Sequence, residues 1–440
     1  MITHRALVRT ATLAALAALA TWARAEVAPG NAAGTTPHYL QAQPPQVPPE
    51  QARGDAPVPV TSEAQAEAKA ETPPRPLMSL LRDTGVGDAL DEARINVFGH
   101  AEVSWTHNFS SGDRILVGRV FDLENDDPTL NQLDLTVERA VVVGPDQWDV
   151  GGRVEMIWGG DARFIHAVGL FDYQGFDDGT DNQFDLNQAY VDVNIPVGRG
   201  LRLRGGKFVT LLGAEVINPT GNALYSHSYM FGYSIPFTHT GVLGTYQCTD
   251  KLTINAGLTR GWDTALEDNN GTLDFLGSVA YTVSDKTTFT ANLVTGPDQP
   301  GDNDHWRSVI DLVLSHKLAD DLTLTLNGDY GYESSSAASV SGSDAQWFGL
   351  AGYLSKTLNK NFTLNGRAEY FNDQDGARIG GTATSWYEAT LGVAIKPMPD
   401  DKWGQNLVIR PELRFDYAED PVFSGDYNQF TLGVDAYFTF

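Results

Sequence analysis

From Arg94 to the C-terminus apolar residues recur at every second position, the period of a strand with one apolar and one polar face. In the first run Ile95, Val97, Gly99, Ala101, Val103 and Trp105 share one face, and Asn96, His100, Glu102 and Ser104 the other. Leu133, Leu135, Val137 and Val141 oppose Asp134, Thr136 and Glu138, and Val150, Val154, Met156 and Trp158 oppose Asp149, Arg153 and Glu155. Leu322, Leu324 and Leu326 alternate with Thr323, Thr325 and Asn327, and Phe362, Leu364 and Ala368 oppose Arg367 and Glu369. Near the end Leu407, Ile409, Leu413 and Phe415 oppose Arg410, Glu412, Arg414 and Asp416.

The connections decide what these strands build. Short turns at 144–147, 197–200, 249–251, 284–286, 319–321 and 359–361, with a longer one at 397–406, alternate with polar stretches. Those stretches are 109–130, 160–183, 209–237, 262–272, 296–305, 334–344, 372–382 and 418–428. A soluble sandwich does not sort its loops by end, whereas an outer-membrane barrel does. The expected fold is all-β: a transmembrane antiparallel β-barrel of about sixteen strands, with long extracellular loops and short periplasmic turns. Aromatic residues near strand ends fit interfacial girdles: Trp105, Trp148, Trp158, Tyr281, Tyr330, Tyr353, Tyr370, Tyr417 and Phe438. The last strand, Phe430 to Phe440, alternates and ends in phenylalanine, a resemblance to the signal read by the bacterial barrel-assembly machinery.

Three places break the pattern. Arg139 falls in the apolar phase, by snorkelling to the headgroups or after a bulge. Lys207 does the same after Leu201 and Leu203, and the pair Gly205-Gly206 is expected to kink the strand and turn Lys207 into the lumen. Between Gln346 and Leu358 both phases are apolar, so the pattern assigns no lipid face.

Upstream of the barrel, residues 1–25 read as a secretory signal, with basic His4, Arg5 and Arg9, an apolar run from Ala11 to Ala20, and Ala23-Arg24-Ala25 at the cleavage site. Residues 26–76, rich in Pro, Ala, Gln and Glu, read as a disordered periplasmic linker, and 77–93 as a short amphipathic segment packed below the barrel mouth. No run of apolar residues is long enough for a spanning helix. The formal charge of −26 excludes nucleic acid as a partner. A mean hydropathy of −0.25 suits a soluble protein equally, but half of every spanning strand is polar. The single cysteine, Cys248, excludes a disulfide framework.

Candidate chemistry lies in the lumen and in the longest loop. At about sixteen strands side chains cannot fill a barrel, and an aqueous channel is expected. Inward positions carry both signs, Arg153, Arg202, Arg204, Arg307, Arg367, Arg410 and Arg414 against Glu102, Glu138, Glu155, Asp192, Asp311, Glu369, Glu388, Glu412 and Asp416. They set a transverse field at a constriction, or they pair across strands as a solvated wall. Loop 209–237 is expected to fold inward as the constriction, with Lys207, Glu215, Asn218, Asn222, His227 and His239 at the narrowest point. Glu215, His227 and His239 also offer a metal-ligand set, and Ser226-His227-Ser228 a hydrolase nucleophile, but hydrogen bonding within the loop is the simpler use of both. No metal, no cofactor and no catalytic residue is therefore expected. Acidic loop residues Asp122, Glu124, Asp126, Asp127, Asp177, Asp178 and Asp181 read as solvated surface charge that also attracts cations bridging lipopolysaccharide.

With those residues in view, the chain resembles the OmpL-like family of outer-membrane β-barrel porins over 94–440. The resemblance rests on Gly206-Lys207-Phe208-Val209-Thr210, Gly213-Ala214-Glu215, Asn218-Pro219, Asn222, Tyr225-Ser226-His227-Ser228 and Pro236-Phe237-Thr238-His239-Thr240-Gly241. Arg367-Ala368-Glu369-Tyr370-Phe371 with Asp373 is similar too. The family implies a porin-like role and supplies no catalytic residues. The expected function is passive diffusion of small hydrophilic solutes across the outer membrane. Its partners are membrane lipid, lipopolysaccharide and the assembly machinery, with a homotrimer compatible. The rival readings are an anchor tethered through 26–76 and an outer-membrane hydrolase.

Overall fold

Each alternating run forms a stave, and each stave bonds to its neighbours in the chain. The computed structural model describes residues 75–174, 180–339 and 342–440. The signal peptide 1–25, all but the last two residues of the linker 26–76, and Asp177 and Asp178 lie outside them. The first strands are β1 (Asn96–Phe98), β2 (His100–Asn108), β3 (Thr129–Arg139), β4 (Asp149–Gly159), β5 (Gln183–Ile195) and β6 (Leu201–Val209). After the longest loop come β7 (Thr238–Gln247), β8 (Leu252–Thr259), β9 (Asp274–Ser284), β10 (Thr287–Gly296), β11 (Arg307–Ala319) and β12 (Leu322–Glu333). The chain ends with β13 (Ala345–Thr357), β14 (Phe362–Asp373), β15 (Thr384–Ile395), β16 (Leu407–Ala418) and β17 (Asn428–Thr439).

All neighbours are antiparallel, and β17 returns to β2 with Val434 opposite Trp105 and Ala436 opposite Val103. The barrel is closed, so no edge is left to hydrocarbon. β1 and β2 are one stave interrupted at Gly99, where an added Cβ would come within 2.1 Å of the Asp134 carbonyl oxygen. Seventeen segments thus make 16 staves. Phe440 and Gly99 exchange backbone hydrogen bonds of 2.9 and 3.0 Å, which ties the last residue into the closing seam. Long connections lie at one end, and short turns and both ends of the described chain at the other, as the pattern predicts.

Outward positions form an exposed apolar belt that includes Val150, Val191, Val242, Leu258, Ile310, Leu350 and Leu391. At the long-loop end of β13 to β16, Phe348, Tyr370, Tyr387 and Tyr417 pack side by side with ring centroids 5.5, 5.0 and 5.9 Å apart, one arc of an aromatic girdle. Tyr353 is not part of it. It shares the inward phase of Trp347 and Ala351 on β13.

The other two irregularities resolve locally. Arg139 keeps the outward phase to the short-turn end of β3, where it donates to Asp149 at 3.0 Å. Asp149 also accepts from Arg94 at 2.6 Å. Lys207 does turn inward: Gly206 adopts φ +134°, and Lys207 Nζ reaches Asp185 at 3.0 Å and the Leu186 carbonyl at 2.8 Å. A Cβ at Gly206 would lie 2.2 Å from the Ala189 carbonyl oxygen. Gly206→Ala therefore combines a strained φ with a backbone clash, and a cost of about 1–3 kcal/mol is expected. Refolding into micelles should give less heat-resistant barrel than the parent; an equal yield would mean that another residue sets the phase change.

Before the barrel, helix α1 (Pro76–Asp83) and helix α2 (Val86–Glu92) turn at Gly85, whose φ is +81°. Met78 is buried and its sulfur accepts from Val97 N–H at 3.3 Å, while Arg75 lies 3.5 Å over the Phe98 ring. Arg82 binds Asp91 at 2.6 and 2.9 Å, and this bond holds the Asp91 carboxyl below its usual range.

Candidate functional site in the barrel lumen

Residues 210–237 leave β6, cross the lumen and return to β7. Their backbone cannot form a ladder there, so its polar groups need partners from the wall. Carboxylates take the amides. Asp311 on β11 accepts from Gly213 N–H at 3.0 Å, and Glu412 on β16 from Tyr225 and Ser226 at 2.9 and 3.1 Å. Glu369 on β14 takes Tyr229 and Met230, both at 2.7 Å. Guanidinium groups take the carbonyls. Arg367 donates to Ser226 O at 2.6 Å, Arg410 to Pro219 and Asn222 O at 2.8 and 2.7 Å, and Arg414 to His227 O at 2.5 Å. Neutral amides complete the set: Asn327 accepts from Ala214 N–H, Gln132 donates to Ile217 O, and Asn365 donates to Ala223 O. Asp263 in the 260–273 loop accepts from Phe237 and Thr238 N–H, both at 2.9 Å.

The same wall charges pair with one another. Arg153 meets Glu138, Arg204 meets Asp192, Arg307 meets Glu333 and Arg410 meets Asp435, each pair opposite in register. Arg367 joins Glu388 at 2.6 Å to Glu215 at 2.7 Å, and Arg414 binds Asp416. Several of these charges thus pair with cross-strand neighbours, and Arg367 also reaches the loop.

Packed side chains enter the outer half of the hollow expected from the strand number. Leu212, Tyr229, Met230 and Ile235 from the loop pack against Leu276, Val309, Trp347, Phe371 and Trp386 from the wall. A second cluster joins Phe231 and Phe237 to Phe121 of the 109–128 loop and Phe164 of the 160–182 loop. Trp347, Phe371, Leu276 and Val309 have no exposed surface. Two apolar faces on β13 now have a reason: one meets lipid and the other this lumenal core. Burying the loop's large apolar side chains stabilises the crossing by about 1.5–3 kcal/mol each, far more than thermal energy in total.

The predicted site residues fall into three groups. Glu215, Arg367, Glu369, Arg410, Glu412 and Arg414 come together around the crossing loop, as described. Arg153, Glu155, Arg202, Arg204 and Lys207 stay on the β4–β6 wall. Glu155 accepts from Asn187 and Gln188 there, and Arg202 lies 3.9 Å from Asp192. Asn218, Asn222, His227 and His239 serve the loop's own shape. Asn218 caps the turn at Thr220, and Asn222 bridges both backbone groups of Val216 and meets His227 at 3.1 Å. His239 meets Thr210 at 3.0 Å. His227 and His239 thus have separate partners, and among the described residues no three metal-binding side chains converge. The Ser226 amide goes to Glu412 and its hydroxyl accepts from Arg367 at 3.4 Å, while the His227 ring meets Asn222 and the Val216 carbonyl. The acidic loop residues are not simply solvated: Asp122 pairs with Arg119, Glu124 with Arg163 and Asp126 with His107.

Beneath the crossing, on the short-turn side, lies a cavity of about 360 Å³. Loop residues 214–215 and 221–224 form one side and β9 to β13 the other. Sequence reading missed this wall and missed Asp311, Asn327 and Asp416 as loop holders. The Thr/Asn alternation of β12 was visible, but which loop it faces was not.

Solved structures share the fold. An outer-membrane channel, DcaP of Acinetobacter baumannii, superposes with a TM-score of 0.51 at 11% identity over 79% of this chain and 97% of that one. The anion-selective porin from Comamonas acidovorans gives 0.54 at 12%, covering 79% and 99%. Pseudomonas putida OprB gives 0.52 at 10%, covering 81% and 97%. No curated protein matches in sequence. Residues 94–440 match the family described as "Putative beta-barrel porin-2, OmpL-like", and with most of its length inside that match the chain belongs to this family of β-barrel porins of the outer membrane.

Proposed function

We propose that the protein is a passive diffusion channel for small hydrophilic solutes, with residues 210–237 as its barrier. The observation that carries this reading is the crossing itself: one loop spans a lumen of 16 staves and is held by the wall through its backbone. In this reading the crossing is the barrier, and solute passes where it yields. Lys207, Glu215, Asn218, Asn222, His227 and His239 act by setting the loop's position, and the paired arginines by keeping it there. The outer belt meets lipid, the acidic long loops face lipopolysaccharide, the seam strand ending at Phe440 is offered to the assembly machinery, and the linker lies in the periplasm. Each chain closes its own barrel, so a homotrimer would add lateral contacts only. The reading is of a channel and not of an enzyme.

Purified full-length protein in planar bilayers should give stepwise openings. Silence under every voltage and salt condition, with the barrel folded, would refute the channel and leave the anchor reading.

A further inference from the structure

The lumen wall is divided by chemistry. From β15 round to β6 the inward side chains toward the short-turn end include the charges Glu102, Arg153, Asp192, Arg204, Arg410 and Asp435, but from β7 to β13 they are neutral. Thr245, Asn255, Thr290, Ser315, Thr325 and Ser355 lie on inward phases there. Below Asp311 the first charge on that side is Lys317, exposed at the rim. The cavity of about 360 Å³ opens onto this neutral wall, within the size range of small-molecule sites. Its one charged lining residue, Glu215, is already matched by Arg367 at 2.7 Å and by Ser228 N–H at 2.8 Å.

We propose that this cavity binds a small uncharged polyhydroxylated solute, of the sugar or polyol class. An ion entering it would lose water and find no free countercharge, a penalty that a neutral solute avoids. The hydroxyls of Thr290, Ser315 and Thr325 each offer a donor and two acceptor sites. Thr325 donates to Ser315 over a long 3.4 Å. Between them Ala280, Val313 and the Tyr353 ring supply apolar surface for the C–H faces of a sugar ring. The inference rests on the channel reading for its purpose, since a solute site just inside the barrier is where a diffusing solute waits.

The test is calorimetric titration of the full chain in lauryldimethylamine oxide micelles, which carry no sugar headgroup, with sucrose and with gluconate as the charged comparator. Sucrose should bind saturably and gluconate at least about tenfold more weakly. Ser315→Ala and, separately, Thr290→Val should each weaken sucrose by about tenfold, the loss of one hydrogen bond, with unchanged circular dichroism and heat unfolding. Absence of sucrose binding, equal binding of gluconate, or indifference to both substitutions overturns the proposal. Bilayer recordings of the same preparation separate the two readings. Conductance without sucrose binding removes the site and keeps the channel, and sucrose binding without conductance does the reverse.

Discussion

Replacing residues 211–236 by Asn-Gly should convert a channel of small or rare openings into one of large, stable conductance, several-fold above the intact protein. Thr210 N–H already bonds the Phe237 carbonyl at 2.8 Å, so the cut ends face each other across a ladder position. A two-residue Asn-Gly turn closes such a pair without strain. The deletion removes Leu212, Tyr229, Met230 and Ile235 from the outer half and returns Glu369, Glu412, Arg367 and Arg410 to water. The two arginines retain wall partners, Arg367 with Glu388 and Arg410 with Asp435, so the barrel has reason to survive. Single-channel recording is the readout. Unchanged conductance in a folded variant would show that the 109–128 and 160–182 loops, not this one, bar the lumen.

Arg367→Ala should be the most damaging single substitution in the crossing. Arg367 is fully buried at its side chain and holds Glu388, Glu215 and the Ser226 carbonyl together. Truncation strands two carboxylates without their cation, and breaking a buried pair in that way costs about 3–5 kcal/mol. Arg367→Lys restores charge but not the fork, so it should fall between the two. Denaturant unfolding in micelles gives the ranking, and limited proteolysis within 210–237 should quicken in the same order. A loss under 1 kcal/mol for the alanine variant would mean that apolar packing alone seats the loop.

The barrel was legible because it depends on a local rule. Alternation in β2, β4, β12 and β16 gave inward and outward faces correctly, and the sorting of short and long connections gave closure. The Gly205-Gly206 phase change was legible too, since Lys207 had nowhere to go but inward. What the lumen contains was not. Ion pairing of Arg367 with Glu215 spans 152 positions in the chain, and no periodicity encodes it. The same applies to Tyr353, placed in the girdle by sequence but facing the cavity, because the count of residues to the lipid boundary does not say which phase of β13 is wet when both are apolar. Which charge meets which across strands, as Arg204 meets Asp192 and Arg410 meets Asp435, is a property of register and not of composition.

One further consequence follows from how the crossing is held. Glu369, Glu412 and Asp311 grip peptide groups, not side chains, so the grip does not depend on which residues the strap carries. Loop positions whose side chains neither pack in the core nor pair with the wall can therefore change while the staves behind them remain the fixed tooling.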